Sequence, residues 1–161
     1  VIVGAVGAVE SWGSDWYGEV SNTPTTNDFT QVATGSQHSV ALKADGTLES
    51  WGYNADGQVS NTPTANDFIQ VAGGGGHSAA LKSDGSLVSW GYDAFGQVSN
   101  TPGGNDFTQI SAGEHHSAAL KADGSLVSWG YDLENQVSNT PGGNDFTQVS
   151  TGHEHSVAIR L

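Results

Sequence analysis

Four histidines recur at one spacing: His38, His77, His116 and His155 stand 39 residues apart, and each precedes a serine. Imidazole titrates nearest neutral pH and is a common transition-metal ligand. Four rings converging on one axis would make a metal centre or an acid–base site. Two copies add further groups. "GEHHS" (Gly113 to Ser117) brings Glu114 and His115, and "GHEHS" (Gly152 to Ser156) brings His153 and Glu154. The other copies carry Ser36-Gln37 and Gly75-Gly76 at those places. Chemistry is normally done once per chain, not once per repeat. The constant histidine is therefore read as scaffold, its ring capping or bridging strands of its own unit through backbone hydrogen bonds. The changing pair before it is read as contact surface. No metal set and no cofactor are assigned.

Nothing else in the chain has the spacing of a catalytic site. There is no nucleophile beside a base, no phosphate loop and no isolated carboxylate pair. The Asp-Gly pairs read as hairpin turns. Asp28, Asp67, Asp106 and Asp145, each in "NDF", read as turn caps through an Asx interaction, and no D-x-D-x-D-G calcium loop occurs. The expectation is a protein that is not an enzyme.

The histidines are positioned by a repeat. Trp12, Trp51, Trp90 and Trp129 keep the same spacing, as do Phe29, Phe68, Phe107 and Phe146. Residues 79–117 and 118–156 differ at only eight of 39 positions. Repeats of this length mean solenoids, propellers or arrays. In one unit, "FTQVAT" (Phe29 to Thr34) is β-compatible and Gly35 breaks it. "HSVALK" (His38 to Lys43) alternates, Ala44 to Gly46 turn, and "TLESWG" (Thr47 to Gly52) is a third strand. The following "YNADGQVSNTPTT" is loop. Ser39 and Ala41 leave one face of the second strand small, which suits packing on both sides, as in blades around an axis. No stretch has useful helical periodicity. The fold class expected is all-β: a β-propeller of four 39-residue repeats, three to four strands per blade. The units run about 1–39, 40–78, 79–117 and 118–156, with a closing strand at 157–161, in one domain over 1–161. The last blade is completed by N- and C-terminal strands, "AVESWG" (Ala8 to Gly13) supplying what Phe146 to Thr151 and His155 to Leu161 lack.

Composition narrows the partners. Seventeen acidic residues against four basic ones give a net charge of −13. That disfavours nucleic acid and anionic membrane surfaces, and favours basic, neutral or cation-bridged partners. No apolar run approaches the ~20 residues of a membrane span. Without cysteine, disulfides and thiolate sites are excluded. The chain starts at Val1 and contains no Met, as expected of a processed product, a cut-out piece or a sequence whose start is missing. The acidic, Cys-free composition, rich in Gly, Ser, Thr and Asn, suggests an extracellular or virion surface.

"GSQHSVALKADGTLESWGYNADGQ" and its copies resemble the regulator-of-chromosome-condensation repeat family of β-propellers. The shared pattern is G-x-x-H-S-x-A-L, then D-G-x-L, then W-G-x-N/D-x-x-G-Q. The short unit is most similar to the β-lactamase inhibitory proteins of the second type within that family. The chain departs in having four units and a degenerate first one, where "GAVGAV" and "SDWYGE" replace "KADGTL" and "YNADGQ". The resemblance implies a scaffold that acts by surface contact. It also implies that the pair before His and the loop after Trp-Gly lie on one partner-binding face.

Those are the two places where the units differ most. The candidate contacts are Trp16, Tyr17, Gln37, Asp56, Phe95, Glu114, His115, Glu134, His153 and Glu154. The loop aromatics weigh most, because aromatic side chains anchor binding surfaces. The function expected is a non-catalytic recognition or structural module binding a protein through these loops. The alternatives are a lectin-like propeller that binds glycan and a β-lactamase-inhibitor-like protein. Against the last, the pair before His carries no aromatic residue other than histidine in any unit. The small second-strand faces suit closely spaced blades, as in rings of seven or eight. With the apolar Val1 to Gly7 left over, this predicts a homo-oligomer joined through the terminal strands, either a two-chain ring of eight blades or an open chain-to-chain array; the alternative is a closed four-bladed monomer with Trp and Phe filling the wedges.

Overall fold

The computed structural model describes residues 6–161. Eleven strands are present among them, in four antiparallel sheets. The first holds β1 (Phe29–Thr34), β2 (His38–Lys43) and β3 (Leu48–Gly52). The second holds β4 (Phe68–Gly73), β5 (His77–Lys82) and β6 (Leu87–Gly91). The third holds β7 (Phe107–Ala112), β8 (His116–Lys121) and β9 (Leu126–Gly130). The fourth holds only β10 (Phe146–Thr151) and β11 (Ser156–Arg160).

Each three-stranded sheet is a meander whose second turn is set by Asp-Gly. Gly46, Gly85 and Gly124 all take φ near +84°, which a side chain would resist. The aspartate in front is occupied: Asp45 Oδ1 accepts the Thr47 N–H at 2.9 Å and its hydroxyl at 2.6 Å. Register is identical in all three full sheets, with Ser39 opposite Trp51, Ser78 opposite Trp90 and Ser117 opposite Trp129.

Blades stack first strand to first strand, and each second strand packs on the next blade's first strand. The core therefore lies between blades. One cluster joins Val40 and Leu42 to Phe68, Val71, Ala80 and Trp90; the next joins Leu81 and Leu87 to Phe107, Ile110 and Trp129. The alanines of β2, β5 and β8 are fully buried, as strands covered on both faces require. Polar links cross the same seams. Gln31, Gln70 and Gln109 each offer Oε1 to the N–H of Val71, Ile110 and Val149, at 2.9 to 3.1 Å. Trp90 and Trp129 donate their indole N–H to the carbonyls of Gln58 and Gln97, at 3.0 and 2.9 Å.

The "NDF" aspartates differ from expectation. Asp67 and Asp106 pair with Lys82 and Lys121 at 3.3 and 3.2 Å, and Asp145 pairs with Arg160 at 2.7 Å. Those cations lie over Phe68, Phe107 and Phe146 at 5.2 to 5.5 Å from the ring centre. The ring seats the cation within ion-pair distance of the carboxylate in each of these three units. Asp28 accepts the Thr26 hydroxyl instead.

The chain ends do not meet. Ala8 to Gly13 form no strand and stay beside the first blade, with Gly7 bridged to Phe29. Trp12 is 86% exposed where its repeat equivalent Trp51 is 5% exposed. Among the described residues the fourth sheet keeps two strands and is not completed within the chain. Of the apolar segment Val1 to Gly7, residues 1–5 lie outside the described part.

Candidate binding face

The repeated histidines are scaffold, but the bond they make is not the one expected. His38, His77 and His116 reach from their own blade to the next, Nε2 lying 2.8, 2.8 and 2.9 Å from the hydroxyls of Ser78, Ser117 and Ser156. The partner is a side chain of the neighbouring blade because the second strand's backbone is already used by its ladder. Each ring also lies against the glycine that ends the strand before it; a Cβ on Gly74 would sit 2.5 Å from His77 Cε1. Burial holds the rings neutral. It pushes His38 down to about 4 and His77 to about 3, and it lowers His116 as well. Among the described residues no group of three or more His, Asp or Glu is placed to hold a metal ion.

The loops after Trp-Gly are built by two recurrent polar devices. Asp15, Asn54, Asp93 and Asp132 each turn Oδ1 back onto two backbone N–H groups five and six residues on, at 2.8 to 2.9 Å. These bonds favour the ionised form and lower the Asp15 and Asp132 carboxyls. Buried Gln58, Gln97 and Gln136 accept the N–H of Asp56, Phe95 and Glu134 at 2.9 to 3.0 Å; Glu19 does the same for Tyr17 at 2.8 Å. The residue at that tip is thereby presented outward in every unit while its identity changes: Tyr17, Asp56, Phe95, Glu134.

The tip of one blade meets the next blade's pre-histidine residue and a tyrosine. Phe95 lies 5.4 Å from His115 and 4.7 Å from Tyr131, ring centre to ring centre. Tyr92 joins them at 6.0 Å from Phe95 and 6.2 Å from His115. Tyr17 meets Tyr53 edge-on at 4.7 Å. The structure thus brings Phe95 to His115 and gives both, like Tyr17, tyrosine partners that sequence reasoning missed. Tyr53, Tyr92 and Tyr131 are constant, so a search for positions that vary between units passes over them. The signal was their place, the first residue past a strand whose Trp faces inward.

The other candidates are dispersed. Trp16 and Gln37 are exposed, and Asp56 is exposed with Oδ2 3.3 Å from Gln58 Nε2. Glu114 lies at the inner rim, accepting the Ser36 hydroxyl at 3.1 Å across two blades. His153 Nδ1 is 3.7 Å from Glu154 Oε1. Glu134 and Glu154 line one groove of about 290 Å³ at the last blade. The loop-tip candidates form an arc over successive blades, with Glu114 set apart from it at the inner rim. Such an arc offers ring faces and carboxylates to a broad partner; it does not bring an acid, a base and a nucleophile together.

A model of the Regulator of chromosome condensation (RCC1) repeat matches residues 29–58, 68–97 and 107–136, together more than half of the chain. Each match runs from the first strand of a blade to the buried glutamine of its loop. The ectodomain of the Physcomitrella patens receptor kinase CR4 superposes with a TM-score of 0.79 at 23% identity, over 95% of this chain and 43% of that one. Prp20p from Saccharomyces cerevisiae, described with its binding to Gsp1p and histones, gives 0.74 at 21% identity, over 93% and 51%. Human WBSCR16 gives 0.67 at 22%, over 98% and 52%. The chain spans about half the length of these structures. No curated protein matches it. Among the described residues no helix is long and apolar enough to cross a membrane.

Proposed function

This chain belongs to the regulator of chromosome condensation repeat family, and from that premise we propose that it is a recognition module that binds a protein through the blade-tip arc. The family fold points to a non-catalytic interaction module. The observation that carries the reading is the surface cluster of Tyr92, Phe95, His115 and Tyr131, built by loops whose framework is constant and whose tips vary. Aromatic side chains at a surface anchor contacts, and carboxylates around them select cationic groups. Glu114, Glu134 and Glu154, with a net charge of −13, supply those carboxylates and disfavour nucleic acid. Prp20p, of the same fold, is described with its binding to Gsp1p and histones. The acidic, Cys-free composition supports an extracellular or virion surface as the place of action.

The test is selection of a displayed library of basic and neutral peptides on the native chain. Binders are expected to weaken at least tenfold against Phe95→Ala combined with Tyr131→Ala, and to weaken with salt. Binders indifferent to both changes would sink the reading. Hits on a glycan array that require Trp16 and Tyr17 would favour the lectin-like alternative. Inhibition of a class A β-lactamase would favour the inhibitor-like one.

A further inference from the structure

The two ends of the blade array are the two halves of a junction that the chain makes three times inside itself. We propose that two copies close head to tail into a ring of eight blades, each copy lending residues 9–13 as the third strand of the other's fourth sheet. This surface touches the blade-tip arc at Gln37, Glu134 and Glu154 and leaves the Tyr92, Phe95, His115 and Tyr131 cluster outside it.

The N-terminal segment already occupies a third-strand position relative to the first blade. Gly7 and Phe29 exchange both backbone hydrogen bonds, at 3.0 and 3.1 Å, where Gly46, Gly85 and Gly124 accept from Phe68, Phe107 and Phe146. Val9, the repeat equivalent of Leu48, packs with Phe29, Ala41 and Trp51. What this strand lacks is a sheet, and the fourth sheet lacks a third strand. Extending the internal register sets Trp12 opposite Ser156 and Glu10 opposite Ala158, as Trp51 faces Ser39 and Glu49 faces Ala41. The indoles of Trp51, Trp90 and Trp129 donate to the carbonyls of Glu19, Gln58 and Gln97. The next acceptor in that series is Gln136, for Trp12 of the other copy.

The faces match as well as the strands. Val157 is 61% exposed although its equivalent Val40 is fully buried; Val32 is 55% exposed although Val71 is 3%. His155 is the next ring in the histidine–serine series, and Ser39 is the serine that no histidine reaches among the described residues. Gln148 is the next glutamine, and the Val32 N–H is the donor it would meet. A groove of about 290 Å³ runs beside Ser156, Val157 and Ala158, where the lent strand would lie. A cleft of about 420 Å³ between Trp12, Val32 and Trp51 would receive the fourth sheet. The occupant is a second copy because each end carries the complement of the other: Trp12 and Val32 stand open at one, Ser156 and Val157 at the other. A head-to-tail contact closes only if the rotation returns to its start, and eight like blades need about 45° at each junction.

The test is the native mass of the 161-residue chain, expected at twice 16.6 kDa. Trp12→Ala removes a side chain that is exposed in a single copy, and Val157→Lys places a charge on the open face. Each variant alone is expected at the single-chain mass with an unchanged β-type circular dichroism spectrum. An equimolar mixture of the two should recover a two-chain species, because one of the two junctions is then intact. Phe95→Ala should leave the mass at two chains, which separates this proposal from the binding reading. A single-chain mass for the native protein, a ladder of masses above two chains, or a mixture that stays at one chain would overturn the ring.

Discussion

Lowering the pH from 7 to 5 is expected to weaken the fold by about 4 kcal/mol. His38 and His77 titrate at 6.5 when unfolded but near 4 and 3 in their seams. The cause is burial without a second partner: Nε2 is spent on a serine, and Nδ1 of His77 has no hydrogen-bond partner. A proton added there would be a buried N–H with no acceptor. Above pH 6.5 the rings are neutral in both states and the fold is at full strength. Below it the unfolded chain takes up protons that the folded chain refuses, so stability falls with pH until the folded values are reached. Each unit of pH costs ~1.4 kcal/mol per group, so two groups over 1.5 units lose about 4 kcal/mol. His116, also lowered, adds to this. The depressed aspartates such as Asp45, Asp84 and Asp123 titrate below this window. Urea unfolding followed by tryptophan fluorescence at pH 7 and pH 5 measures the difference. The variant His77→Gln, which keeps a donor near Ser117 but does not titrate, should lose about half as much between the two pH values. Midpoints that coincide at pH 7 and pH 5 in the native chain would refute the reasoning.

Gly74→Ala should cost about 1–3 kcal/mol in urea unfolding, because the new Cβ would lie 2.5 Å from both the Gly113 carbonyl and the His77 ring. Trp129→Phe should cost about 2 kcal/mol, mainly by leaving the Gln97 carbonyl without its indole donor, and its melting point reads this directly. Asn135 holds φ at +59° where the other units have Gly18, Gly57 and Gly96; Asn135→Gly should stabilise by about 0.5 kcal/mol in the same assay. Phe95→Ala, at a half-open surface position, should leave the melting point nearly unchanged while abolishing selected binders.

Strand order and turns were legible because they are local. The alternation of "HSVALK", the Asp-Gly pair and the constant Trp-Gly each fix a strand or its end within a few residues. The third strand begins at Leu48 and not Thr47, because Thr47 is held by Asp45 in the turn. What crosses between blades was not legible. A histidine finds a serine 40 residues on, and a glutamine finds a backbone N–H 40 residues on, only after the blades are stacked. The "NDF" carboxylates were read as caps because a lysine 15 residues away is not a neighbour in sequence. At the binding face, variation between units pointed to Phe95 and His115, but it could not point to Tyr92 and Tyr131, which do not vary. Trp12 shows the same limit from the other side: its type and spacing matched a buried residue, and its burial depends on a sheet that the chain alone does not place there.

Every seam uses the same histidine, serine, glutamine and tryptophan positions, and a unit carries the donor half for one side and the acceptor half for the other. An in-frame duplication or loss of 39 residues therefore inserts or deletes a blade without leaving any seam mismatched. Residues 79–117 and 118–156, which differ at only eight of 39 positions, show how alike two such units remain. Selection can then set the number of blades by counting units, while the loop tips of each copy drift separately.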